Sequence, residues 1–440
     1  MSSDDAKNIL WFVTVPLGII AIGLVTLSVM RYLKKPEKVI KKIEWLRTFY
    51  IWIGALAVLG GTWAFFLPIA INSGFNKNDD GPVLRQLLIY TTGGLLGAIT
   101  LGETRRKNDQ EHMRQVHAER RSRYAKAVEQ LADEKAPIRL GGVYTLAKLV
   151  DDWLDDEKTL PSEEERREEG QVIINSLCAY IRSPFDLASK TEELSEHKAP
   201  ENYEGGNQQF IKDQARFREE KELRLTILEA VRNRLNKSTR VHKNGTQKLL
   251  PGQWSGFDYD FSNTVFFYPV GFNNSYFGAS SNFSGTEFTE NTNFSRAKFV
   301  ENADFSKAEF TKNADFSKAE FSWYTNFSGA KFTGDANFSK AKFISANFSG
   351  ATFNQGANFS KAIFWTKPIF NDEPYKARFS NKAKLKSDNF QVSHSSPYKI
   401  DTDDHRSPDG TITTIPEGCI VFDPKTDKEV PHTPAPNGSV

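Results

Sequence analysis

The sequence predicts an α+β multidomain chain: N-terminal transmembrane helices, an α-helical connector domain built round a helical hairpin, and a C-terminal β-solenoid. Three observations predict it. Two uncharged apolar runs, Ile9–Met30 and Phe49–Ile71, stand near the N-terminus. Charged sequence follows, with apolar residues at helical spacing on either side of Pro137. Then twenty-one phenylalanines run from Phe261 to Phe370 at steps of five or six residues.

Residues 1–102 read as a transmembrane region with spans at about 9–30, 49–71 and 87–102. The first two are long enough for a hydrocarbon core of roughly 30 Å at about 1.5 Å per residue. The third is shorter and holds Gly93, Gly94 and Gly97. Arg31, Lys34, Lys35, Lys38, Lys41, Lys42 and Arg47 place the first loop on the cytoplasmic side, and Arg105, Arg106 and Lys107 do the same for the sequence after the third span. The expected localisation is therefore the plasma membrane, multi-pass, with the C-terminal domains cytoplasmic. Gly93-x-x-x-Gly97 and Ala57-x-x-x-Gly61 would allow close packing of spans, within one chain or in a homo-oligomer.

Residues 103–240 read as a cytoplasmic α-helical domain. A basic juxtamembrane helix opens it, with Arg114, Arg120, Arg121, Arg123 and Lys126, and contact with anionic lipid is one expectation for it. Segments 124–131 and 138–149 form a hairpin in which Pro137 suits the first turn of the second helix. The polar stretch 183–209 reads as a long flexible loop, and 212–235 as a helix with Leu223, Ile227, Leu228, Val231 and Leu235 on one stripe.

Residues 255–370, which hold the ladder, read as the β-helix domain. A step of about 5.5 residues fits no single element. On a helix it throws successive Phe to opposite faces, and on a straight strand the five-residue steps flip the face. The chain must turn once per repeat, with every Phe directed at a common axis. Two positions before most Phe stands a small residue, such as Ala303, Ala308, Ala314, Ser281 or Thr325. Four short faces per coil satisfy this pattern, which gives about five coils and a rod roughly 25 Å long. Asp304, Asp315 and Asn337, one position before Phe, are expected to hydrogen-bond backbone at the corners. Residues 371–390 are expected to cap the rod, and 391–440 to be mostly a disordered tail apart from a short hairpin around 411–422.

Ala-Asn-Phe-Ser-Lys at 336–340, Ala-Asp-Phe-Ser-Lys at 303–307 and 314–318, and Ala-Asn-Phe-Ser-Gly at 346–350 resemble the pentapeptide-repeat family. That resemblance implies a right-handed quadrilateral β-helix. The sequence departs from the family in a sixth residue inserted on alternate faces, which gives an 11-residue unit. The hairpin looks like one HEAT- or armadillo-type repeat. Segments 130–142 and 178–183 are similar to a region of bacterial membrane-anchored pentapeptide-repeat proteins.

No catalytic, cofactor-binding or metal-binding residues are assigned, no cofactor is expected, and the chain is not expected to be an enzyme. Cys178 and Cys419 suit a reducing compartment rather than a disulfide or zinc site. His112 and His117 are five apart and share no helical face, while Asp401, Asp403 and Asp404 lack the later residues of a calcium loop. The expected function is a membrane-anchored scaffold whose β-helix binds an unknown protein partner. One alternative is an oligomeric membrane effector or stress and defence sensor acting through its spans. Another is a DNA mimic that inhibits a topoisomerase. Eight acids against ten bases between Phe261 and Phe370 disfavour the mimic, and nucleic acid is not an expected partner.

Overall fold

The structure, a computed structural model, describes residues 53–65, 81–241 and 247–433. It divides into two compact units, Met1–Ala118 and Glu119–Val440. In the first, helix α1 spans 53–65 and helix α2, Gly81–Leu131, begins. The two helices meet where Gly60 leaves no room for a Cβ beside the Thr92 side chain, and Arg85 Nε donates to the Ala64 carbonyl at 3.2 Å. Gly61, Gly93 and Gly97 instead face open space among the described residues.

The expectation of N-terminal transmembrane helices, and the multi-pass localisation built on it, is corrected here. Among the described residues no helix is long and apolar enough to cross a membrane. In α2 the uncharged run 87–102 lies between Arg85–Gln86 and Glu103 and contains three threonines as well as its glycines, so it falls short of the roughly 20 apolar residues a span needs. Of the second proposed span only 53–65 is described, and the first, 9–30, lies outside the described residues.

In the second unit α2 ends at Leu131, and α3 (Ala136–Leu154) starts with Pro137 in its first turn, as the spacing predicts. Helix α4 (Glu163–Arg182) is capped by the Ser162 hydroxyl, which accepts from the Glu165 N–H. Their apolar stripes meet along Leu146, Leu149, Val150, Ile173, Ile174 and Leu177, all buried. The C-terminal end of α2 is tied to α3 and the turn after it by its basic residues, Arg123 to Asp152 at 3.2 Å and Arg120 to Asp156 at 2.6 Å. Asp156 also accepts from both the side chain and the backbone of Thr159. Burial alone would raise this carboxyl, but the Thr159 hydrogen bonds and the Arg120 guanidinium outweigh it and lower its pKa from 3.8 to about 2. A depressed carboxyl pKa stabilises the fold above the unfolded value and loses that effect as pH falls through the folded one. Asp156→Asn should therefore cost about 1–2 kcal/mol in urea unfolding at pH 7. The gap to the native chain should shrink between about pH 4 and pH 2, and a gap independent of pH would refute the assignment.

Residues 183–209 are not the flexible loop their polarity suggests. Leu187, Leu194 and Tyr203 are buried, a short helix α5 forms at Thr191–Ser195, and the Tyr203 hydroxyl donates to Asp213 of α6 (Gly206–Leu235) at 2.9 Å. The anchors are too widely spaced for any local period to reveal them.

The helical region and the solenoid form one unit. Gln171 of α4 exchanges two hydrogen bonds with the Asp258 backbone, and Arg182 binds both the carbonyl and the carboxylate of Asp260. Arg234 forks onto Asp151, which also accepts from the indole of the buried Trp254 at 2.9 Å. The first coil is thus covered by helices, so its sheet edges are not open for further pairing.

Each coil takes 22 residues in the lower part of the solenoid and 21 near the top, as in the pairs 315–337 and 335–356. Successive coils stack as parallel strands on four faces. Representative strands are Ala303–Asp304 on the first, Glu309–Phe310 on the second, Ala314–Asp315 on the third and Lys298–Phe299 on the fourth. Phe stacks on Phe from coil to coil, with centroids 4.7 Å apart for Phe288–Phe310 and 4.8 Å for Phe310–Phe332. Across the axis the first and third columns meet edge to face, as Phe305 meets Phe316 at 5.3 Å. Two strands, Glu320–Asn326 and Lys342–Asn347, run through the corner between the fourth and first faces without a break.

The five-residue steps close tight turns. The Ala308 N–H donates to the Phe305 carbonyl at 3.1 Å, and Lys307 between them has φ 55°. As expected, Asx residues before such Phe bond backbone: Asp304 accepts from the Ser306 N–H at 2.9 Å, and Asn337 from the Ser339 N–H at 3.1 Å. The inserted sixth residue has its own role. At the corner from second to third face, Asn291, Asn313 and Asp335 each accept from the backbone N–H one coil above.

The solenoid has about six turns, one more than the ladder alone predicts. Beyond Phe370, Phe379 stacks on Phe353 at 4.9 Å and Phe390 on Phe359 at 6.0 Å, so the irregular segment after the ladder continues the core. Residues 402–406 and 412–416 form an antiparallel hairpin, and 420–422 pair with 378–380, where the sequence reading expects mostly disorder. Ile415, Val421 and Phe422 are buried there, which gives this polar, proline-containing segment a core to fold on.

A candidate docking face on the solenoid

The fourth face carries two features that no other face combines. One edge is basic. At the corner leading into it, Arg296, Lys318, Lys340 and Lys361 lie one above another on four consecutive coils, because each backbone N–H donates to the coil above, Arg296 to Ser317 and Lys318 to Ser339 among them. All four side chains are exposed, and among the described residues none has an ion-pair partner. All four have φ between 57° and 60°. That left-handed conformation costs a non-glycine residue roughly 1–2 kcal/mol. At the equivalent corner from first to second face, Asn263 and Lys307 share this conformation but glycine relieves the strain at Gly285, Gly329 and Gly350. The basic corner has no glycine, so side chains are kept there against a local cost.

The other edge is apolar. Trp323, Ile344, Trp365 and Tyr398 follow one another up the corner from fourth to first face, with exposures of 57, 39, 50 and 44%. The Trp365 N–H donates to the Phe343 carbonyl and the Tyr398 N–H to the Phe364 carbonyl, which puts the two rings in register. Trp323 sits in a bulge of the Glu320–Asn326 strand, and Tyr324 beside it accepts from the Asn347 amide at 3.3 Å. Below these coils the same corner carries Val300, Glu301 and Asn302, then Gly278, Ala279 and Ser280, so the apolar character belongs to the upper half.

Between the edges, Lys298 lies over the Tyr276 ring at 5.4 Å, and Lys342 pairs with Glu320 at 2.7 Å. Along one coil the two edges are only four residues apart, Lys340 to Ile344 or Lys361 to Trp365, at most about 13 Å.

The sequence alone assigns no site residue on this face. The signal was present as a recurrence of basic residues at intervals equal to one coil, which becomes visible only when the coil length is known. Other candidates are accounted for by structure. Asp404 accepts from the Thr414 hydroxyl across the hairpin of 402–406 with 412–416. Burial raises both Cys178 and Cys419 to about 12, so neither is a thiolate near neutrality. No cluster that could hold a metal ion occurs among the described residues.

Residues 272–320 and 316–363 match the family model described as Pentapeptide repeats (9 copies). This region thus carries pentapeptide repeats wound into a β-solenoid; the helical region before it is not part of the match. No curated protein and no solved structure matches the chain.

Proposed function

We propose that the chain is a protein-interaction scaffold whose solenoid docks a partner across its fourth face. The observation that carries this is the exposure of Trp323 and Trp365 on one corner of a rod whose other large aromatics are almost all internal. Contiguous exposed apolar surface marks interaction sites, and Trp and Tyr are enriched among the residues that dominate binding energy. The basic edge has the wrong sign for a mimic of duplex DNA, so the topoisomerase reading finds no support in this surface.

A photo-crosslinking side chain placed at Ile344 in the full chain tests the proposal in the source cells. We expect an adduct of discrete mass from Ile344 and none from Thr333, which occupies the opposite corner. Either Trp323→Ser or Trp365→Ser alone should weaken capture about 30-fold, since each anchor of this kind contributes roughly 2 kcal/mol. Equal adducts from both corners, or none from Ile344, would overturn the proposal.

A further inference from the structure

We infer that the partner presents an acidic amphipathic α-helix, laid along the solenoid axis with carboxylates on the basic ladder and apolar side chains on the aromatic edge. This inference rests on the docking reading above and adds the chemistry and geometry of the ligand. Three properties of the face lead to it. The basic edge and the apolar edge run parallel, so the ligand must carry an anionic stripe beside an apolar one. Their separation of at most about 13 Å suits a helix about 10–12 Å across.

Spacing is the third. Coils repeat at about 4.8 Å, so Arg296, Lys318, Lys340 and Lys361 span about 14 Å in three steps. Acidic residues recurring every three or four positions on a helix advance about 5.4 Å per turn, roughly 16 Å in three steps. Lysine side chains absorb that 2 Å difference. Alternate residues of an extended strand advance about 6.7 Å, or roughly 20 Å over the same count, and run out of register. Phosphates along one strand of a DNA duplex rise about 3.4 Å each and wind away from a straight edge. A duplex has no apolar groups for Trp323, Ile344 and Trp365, and a strand that turns its carboxylates to the ladder turns the side chains between them to the opposite face. The ladder is also not neutralised from within the solenoid: Glu320 is taken by Lys342 and Glu309 by Lys331.

The test uses the full chain and a fluorescein-labelled 18-residue synthetic peptide of designed helical pattern, with Glu on one stripe and Leu and Phe on the adjacent stripe. Its controls are a scrambled peptide of the same composition and a 20-base-pair DNA duplex. Fluorescence anisotropy at 50 mM salt should show the patterned peptide bound at least tenfold more tightly than the scrambled one. Lys318→Gln, Lys340→Gln and Lys361→Gln together should weaken it about tenfold, the sum expected of three partly exposed ion pairs. The same change at Lys307 and Lys331, on other edges, should leave it unaltered. Raising salt to 500 mM should remove most of the difference between the native chain and the triple variant.

Equal affinity for the two peptides, or no effect of the triple variant, overturns the helix geometry. Tighter binding of the duplex, lost in the triple variant, replaces the acidic helix with nucleic acid. If neither peptide binds while Ile344 still forms its adduct, the ligand chemistry is wrong and the docking face stands. Failure of both removes the docking face as well.

Discussion

Phe316→Ala should be among the most damaging single changes in the solenoid, lowering stability by about 4–5 kcal/mol in denaturant unfolding. The ring is fully buried and lies between Phe294 at 5.2 Å and Phe338 at 5.1 Å, nearly parallel to both. It also meets Phe305 and Phe327 edge to face at 5.3 Å each. Removal takes away the transfer free energy of a phenyl group and leaves a cavity lined by rings that parallel strands on four faces hold in place. The wall cannot collapse because neighbouring coils fix its diameter, so the cost belongs at the upper end of the range. Phe316→Leu keeps most of the volume and should cost about 1–2 kcal/mol. Urea midpoints at unchanged m would check both values. An Ala variant within about 1 kcal/mol of the native chain would show that the columns relax independently, contrary to the continuous core described here.

The second large effect is expected at Arg224, where Arg224→Met should cost about 3–5 kcal/mol. This guanidinium is 2% exposed and donates to Glu220 at 2.7 Å, and to the carbonyls of Ile181 and Ser183 at 2.8 Å each. Those carbonyls end α4, so the residue caps one helix from another. Its face lies 5.4 Å from the Phe267 centroid, at the start of the solenoid, and cation–π attraction adds to the pair. Glu220 also accepts from Arg139 at 2.8 Å and from the Tyr180 hydroxyl at 3.0 Å. Burial, with Glu220 nearby, raises the Tyr180 hydroxyl to about 12, so it remains a donor throughout the ordinary pH range. Loss of the Arg224 cation leaves the buried Glu220 carboxylate with Arg139 and Tyr180 alone and strands two helix-terminal acceptors. Adding Glu220→Gln to Arg224→Met should recover about 1 kcal/mol, because a neutral amide still accepts from Arg139 and Tyr180 and leaves less uncompensated buried charge. A double variant no more stable than Arg224→Met would indicate that the carbonyls, rather than Glu220, carry the cost.

The two predictions differ in how much of their basis can be read from the chain. The Phe316 environment is legible from spacing alone: a step of five or six with Ala two positions earlier requires a turning chain and an internal column, and the structure has both. The Asx-turns of Asp304, Asp315 and Asn337 were legible for the same reason, since their partners lie two residues away. The small position was legible too. Four of its polar occupants, Thr264, Ser275, Ser281 and Thr325, bury hydroxyls without a hydrogen-bond partner, so size governs that site more than polarity does.

The Arg224 network was not legible. Its members Arg139, Tyr180, Glu220 and Arg224 come from three helices, and in sequence each looks like a charged or half-polar helical surface residue. The same applies to Tyr203 and Asp213, which order a segment that composition marks as flexible. The final coil was missed because Phe379 and Phe390 lie nine and twenty residues beyond Phe370, off the period. The apolar runs near the N-terminus are read from length, hydropathy and loop charge, and for 87–102 glycine, threonine and the charges at either end dilute the apolar signal below what a span requires.

By itself the sequence determined that residues 261–370 wind about a phenylalanine core, because a period of five or six is incompatible with any straight element and the relevant contacts repeat at fixed separations. Only the tertiary structure decided how the coils end, how the helices cover the first of them, and which outward residues share an edge. The physical reason is that a core position is dictated by local period, whereas a surface edge is assembled from residues 21 or 22 positions apart. Arg296, Lys318, Lys340 and Lys361 are scattered lysines and an arginine in the chain, and they form a line of charge once the coil length brings them together.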